Sequence, residues 1–176
     1  MLAMKTNIKT QAEIIESTMH YQKYDIALDL CDSYINDNPN SWYGYIKKSE
    51  ALYSLNDRHG ALEVARKLYS IESKDPADYC HLIRILLIFG QIEERLRWAK
   101  FGITLSFRVS KPYYLQALYL YKAFTLIKLD LHSEALEVCA KLNDGYSSYI
   151  AELGILSKEN LVQDAKAGMR KQKALN

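Results

Sequence analysis

One pattern of about ten residues recurs four times along this chain, and the recurrence restricts the folds open to it. Leu28, Leu62 and Leu96 follow one another at intervals of 34 residues, and Leu136 comes 40 after Leu96. Cys31, Ala65, Ala99 and Cys139 keep the same steps, each a small side chain at one place in its copy. Tyr45, Tyr79 and Tyr119 recur in the preceding stretches, again 34 and 40 apart. The last copy therefore carries six inserted residues. Breakers are scarce, with seven Gly and three Pro in 176 residues. That scarcity argues against a many-turned sandwich or barrel and for long helices joined by short turns. First helices are predicted over 8–21, 41–55, 76–89 and 112–129, and second helices over 24–37, 58–72, 92–106 and 132–143. Pro39, Pro76 and Pro112 fall at or just before helix starts, where a missing N–H costs little. Ser41 and Asp75 are candidate N-caps.

A helix–turn–helix period of this length resembles the tetratricopeptide repeat, TPR. The matching residues are the Ala-Leu pairs after each turn (Ala27-Leu28, Ala61-Leu62, Ala135-Leu136), Gly90 in the third turn, and Pro39 closing the first repeat. Arg95 stands where Ala is usual, and Lys48 and Lys122 where Leu is usual. The resemblance implies an all-α fold, a TPR-like α–α solenoid of four repeats at 8–41, 42–75, 76–111 and 112–143. The whole chain, 1–176, reads as one domain, closed by a helical cap over 146–172 that covers the last apolar face.

The composition excludes several function classes. A net charge of +2 provides no electrostatic footprint for nucleic acid. No stretch is long and apolar enough to insert in a membrane; the run Ile85–Phe89 is far too short. Cys31, Cys80 and Cys139 are widely spaced and odd in number, which fits core thiols in a reduced, cytoplasmic protein rather than disulfides or a metal site. His59 and His132 fall in inter-helix turns and read as solvated; no histidine cluster, Gly-rich loop or nucleophile arrangement is present. The expectation is a non-enzyme with no cofactor and no metal, whose partner is a protein or peptide.

The resemblance also implies where that partner sits. First helices of TPR stacks line the concave side, and the phase assigns the inner face of this chain. The first repeat contributes Lys9, Ala12, Glu16, Met19 and His20, and the second adds Ser54. The third adds Ala77 and Cys80, and the fourth Ala117 and Lys128. The partner-binding groove is expected to be Tyr43, Ile46, Glu50, Tyr53, Arg84, Leu87, Ile88, Leu120, Phe124 and Ile127. Exposed residues of this kind require a cover, either a partner or the C-terminal helix folded back. Members of the family that read heat-shock-chaperone tails hold a terminal carboxylate with a Lys, Asn and Arg clamp. Ala12, Glu16 and Ala77 at those positions do not supply it. In size and groove character the chain is similar to small bacterial TPR chaperones of type III secretion, which implies an apolar secreted client. The alternative is a structural or regulatory adaptor subunit. The inserted region alternates Phe101, Ile103, Leu105, Phe107 and Val109, either packing on its neighbour or leaving an apolar edge for homo-oligomer formation. Charge is uneven: residues 8–41 carry two basic against six acidic side chains, and residues 76–111 six against three.

Overall fold

The computed structural model describes residues 2–150 and 153–175, with side-chain surroundings from Thr10 to Ala174 within those stretches. Lys9, expected on the inner face, lies outside the described side chains. The chain parts into two compact units, 1–73 and 74–176, whereas the sequence reads as one domain. The first unit holds α1 (Leu2–His20), α2 (Tyr24–Asp37), α3 (Trp42–Ser54) and α4 (Arg58–Lys67), the last followed by a 3-10 turn. The second holds α5 (Pro76–Ile88), α6 (Ile92–Arg108), α7 (Leu115–Lys128), α8 (His132–Cys139), a hairpin of β1 (Ser147–Ile150) and β2 (Gly154–Ser157), and α9 (Lys158–Leu175).

The repeat in the sequence is also a repeat in the backbone. Gln22, Asn56, Gly90 and Asp130 each adopt a left-handed conformation, φ 57°, 66°, 69° and 58°, and they keep the 34, 34, 40 spacing. Each ends a first helix. The amide one residue later donates back to the helix in every copy: Lys23 to Thr18, Asp57 to Leu52, Gln91 to Leu86 and Leu131 to Leu126. This six-to-one bond is the Schellman motif, which satisfies a carbonyl the helix leaves open and reverses the chain. The second helix then opens with the same bond in each repeat: Ala27, Ala61, Arg95 and Ala135 donate to the carbonyl four residues back. Ala27, Ala61 and Ala135 are fully buried, because a side chain there would keep the helices apart. Arg95 takes that place in the third repeat and is itself buried, its guanidinium 5.8 Å from the Phe124 ring. Burial lowers its pKa to about 10.

Of the two candidate caps, Asp75 accepts the Ala77 amide at 3.0 Å, and Ser41 makes no capping bond. The six-residue insertion lengthens α6 to Arg108 and adds a 3-10 turn at Pro112–Tyr114. Within α6, Gly102 allows the close approach of Leu118 and Tyr79, whose atoms would lie 3.0 Å from an added Cβ. Phe107 and Phe101 remain on the surface, while Leu105 is buried.

The largest departure from the sequence reading is at 146–157, expected to be helix and found as a two-stranded antiparallel hairpin. Its register pairs Ser147 with Ser157 and Tyr149 with Ile155. Gly145 and Gly154 take positive φ of 74° and 76°, which no helix accommodates. The two strands alternate, with Ile150 and Leu156 inward and Tyr149 and Ile155 outward. The Lys158 amide donates to the Tyr146 carbonyl, and its ammonium reaches the Leu142 carbonyl at 2.8 Å and Asp144 at 2.6 Å, tying the hairpin to the start of α9. Ser157 caps that helix by accepting the Asn160 amide. α9 buries Leu161 and Ala165 against α8 and α7, the covering role expected of the cap.

His132 is buried rather than solvated. The ring sits at the start of α8 with α9 pressed on it: a Cβ at Gly168 would lie 2.1 Å from Nε2. Nε2 is 3.5 Å from Asp130, and Nδ1 is buried with no hydrogen-bond partner among the described residues.

Candidate functional site

The ten residues expected to form the groove meet different fates. In the first unit, Tyr43 donates its hydroxyl to the Ala12 carbonyl at 2.9 Å and lies 3.2 Å from Glu16. Its ring meets Tyr34 edge-on. Lys47 bridges Glu16 and Glu50, each at 3.1 Å. Burial works against the Lys47 ammonium, yet Glu50 and Glu16 together hold its pKa up. Burial, followed by Glu16, pushes the Tyr43 phenol well up. Tyr43 and Glu50 therefore belong to a polar network that joins α1 to α3. Ile46 is buried, and Tyr53 is half-buried with Arg58 over its ring. Lys48 pairs with Asp32, which explains how α3 carries Lys where Leu is usual.

In the second unit, Leu87 is 5% exposed, Phe124 9% and Leu120 0%. These three, with Ile46, cannot serve as an open apolar lining. The reason is packing: most of α5 and α7 is buried, α7 lying among α6, α8 and α9. Phe124 is further covered by Arg95 and by Lys128, 5.2 Å from its ring. Ile88 and Ile127 stay half-buried, and Ile127 faces a cavity between the end of α7 and α9. Arg84 alone of the six is exposed.

Arg84 lines a cleft of about 520 Å³. One wall is α5, through Ala77, Cys80, His81 and Arg84. The other is the start of α7 and its 3-10 turn, through Tyr113, Tyr114, Gln116, Ala117 and Tyr121. The hairpin end closes it with Asn143, Tyr146 and Ser148. Ala77, Cys80 and Ala117, expected on the inner face, are small side chains in the walls of this cleft. Their size leaves the space that tyrosine rings border.

The walls are held by specific bonds. Gln116 spans from α7 to the following loop, accepting the Asn143 amide at 2.8 Å and donating to the Lys141 carbonyl at 3.3 Å. Tyr121 of α7 and Ser148 of the hairpin border the cleft together. Lys111 holds Asp75 at 2.8 Å, fixing the 3-10 turn that carries Tyr113 and Tyr114 against the start of α5. Burial pushes the Cys80 thiol up to about 12, so it is a wall rather than a nucleophile. Among the described residues no group of three or more His, Cys, Asp or Glu is placed to hold a metal. Tyr113 and Tyr114 lie in a 3-10 turn where the fourth first helix is expected to start, and Tyr146 and Ser148 in or beside a hairpin read as helix, so the phase assigns none of them to the groove.

No family model matches the sequence, and no curated protein matches it significantly. Solved structures are similar in fold. YrrB, a TPR protein with an unusual peptide-binding site, aligns with a TM-score of 0.67 at 11% identity, over 93% of this chain and 76% of its own. A putative kinesin light chain of Podosopora anserina, with nearly identical TPR-like repeats, gives 0.65 at 12% identity, over 96% and 89%. MamA gives 0.62 at 15% identity, over 93% and 88%. At such identities the likeness shows the fold, an all-α TPR-like α–α solenoid. No described helix is long and apolar enough to cross a membrane.

Proposed function

We propose that this chain is a non-catalytic protein-interaction module that takes a short segment of a partner protein into the cleft between α5, α7 and the hairpin. The observation that carries the reading is the cleft itself: about 520 Å³, within the usual range of ligand sites, bordered by Tyr113, Tyr114, Tyr121 and Tyr146 and floored by small side chains. Tyrosines supply rigid contact area with a polar tip, at little entropic cost. The fold supports the same role, since YrrB shares it and has a peptide-binding site.

A chaperone holding an apolar secreted client is a narrower form of this role. It needs a broad apolar face, and the burial of Leu87, Leu120 and Phe124 removes most of the one expected. The cleft's polar aromatic lining favours recognition of a segment over solubilisation of a client. An adaptor subunit is the second reading, favoured by the exposed Phe107 and the paired, outward Tyr149 and Ile155.

Selection of short random peptides displayed on phage, against the immobilised chain, tests the proposal. Enriched peptides are expected to bind the wild type and to lose binding to Ala117→Arg, which fills the cleft, and to Tyr113→Ser, which removes a ring that is 84% exposed. Circular dichroism verifies that both variants keep their helices. Failure to enrich any peptide, or unchanged binding by both variants, contradicts the cleft as the site.

A further inference from the structure

The cleft is lined unequally in charge. Its ionisable lining includes the cation Arg84 and the neighbouring His81, and no Asp or Glu. Arg84 is exposed, and among the described residues no carboxylate pairs with it. The acids nearest this wall are on the first turn of α5 and beside Lys111: Asp75 is bonded to that ammonium and to the Ala77 amide, and Asp78 acts on the same lysine. The field of Arg84 reaches the cleft floor, where it favours the ionised forms of Cys80 and Tyr121. A guanidinium set among phenol rings, with no counter-ion among the described residues, is suited to receive a carboxylate, since its planar fork matches two carboxylate oxygens. Asn143, at the opposite end, makes no side-chain hydrogen bond among the described residues and leaves its amide for a peptide backbone.

Resting on the peptide-binding reading above, we infer that the occupant of this cleft is an extended segment with an internal Asp or Glu, whose carboxylate pairs with Arg84 while its neighbours pack on Tyr113 and Tyr146. The charge complementarity sets the identity of the segment. The rings supply contact area that any apolar neighbour can use.

Two displayed pools separate this inference from the reading beneath it: random peptides of full composition, and random peptides lacking Asp and Glu, the latter presented both fused at the C-terminus and free at it. The full pool is expected to enrich acid-bearing peptides, and the acid-free pool to enrich none in either presentation. A synthetic copy of an enriched peptide should bind Arg84→Gln about tenfold more weakly. Arg84→Glu should enrich Lys- and Arg-bearing peptides instead. Acid-free peptides that bind the wild type and are lost in Ala117→Arg would overturn the inference and leave the cleft reading standing. Enrichment only with a free C-terminus would move the carboxylate to the chain end and overturn it too. Peptides indifferent to Ala117→Arg, or none at all, would overturn both.

Discussion

Single residues in this protein decide how closely its elements approach. Gly168 is the sharpest case, with the buried His132 ring where a Cβ would go. Gly168→Ala is expected to destabilise the chain by about 1–3 kcal/mol, the usual cost of forcing volume into a packed contact. Urea unfolding measures it, and the cost should shrink when His132→Ala is made in the same chain, because the two changes share one contact. Asp75 shows a second kind of residue-level control. The Lys111 hydrogen bond, together with the Ala77 amide, holds its carboxyl below the ordinary 3.8. A lowered folded-state pKa contributes stability that is complete above the ordinary value and fades as pH falls through the folded one. Asp75→Ala should therefore cost about 1 kcal/mol at neutral pH, chiefly as a lost cap, and progressively less in acid. A cost that stays constant from neutral pH into acid would contradict this assignment.

At the scale of elements, the repeated left-handed turn is the device that builds the fold. Its four positions are occupied by Gln22, Asn56, Gly90 and Asp130, all at positive φ. Glycine takes that conformation freely, and other side chains pay roughly 1–2 kcal/mol for it. Gln22→Gly is expected to raise the melting temperature and Gly90→Ala to lower it, read by circular dichroism; the opposite signs would show that the turns are not equivalent. Much of this was legible in advance, because the Leu28, Leu62, Leu96 spacing reports the helix pair and its turn together. The hairpin was not. Its strands are four residues each, too short for a two-residue period to stand out, and Gly145 and Gly154 are ordinary loop residues until their φ is known. The burial of Leu120 was equally hidden. A period assigns a face to a helix, but it cannot tell that α7 is covered on its other faces as well.

At the scale of the molecule, the two units carry different chemistry. The unit 1–73 holds the Tyr43, Glu16, Lys47 and Glu50 network, and the unit 74–176 holds the tyrosine cleft. The proposed binding site thus lies in the second unit, at residues that the 3-10 turn and the hairpin supply to a repeat frame. The period groups Ala77, Cys80, Arg84 and Ala117 as an expectation, and the folded chain sets them beside Tyr113, Tyr121, Tyr146 and Ser148. The most direct measurement is an amide chemical-shift map of the full chain titrated with a synthetic acid-bearing peptide from the selection. Shifts are expected to concentrate at residues 77–84, 113–121 and 143–148. Shifts centred instead on Tyr43 and Tyr53, or on the Phe101 and Phe107 surface of α6, would contradict the cleft as the binding site.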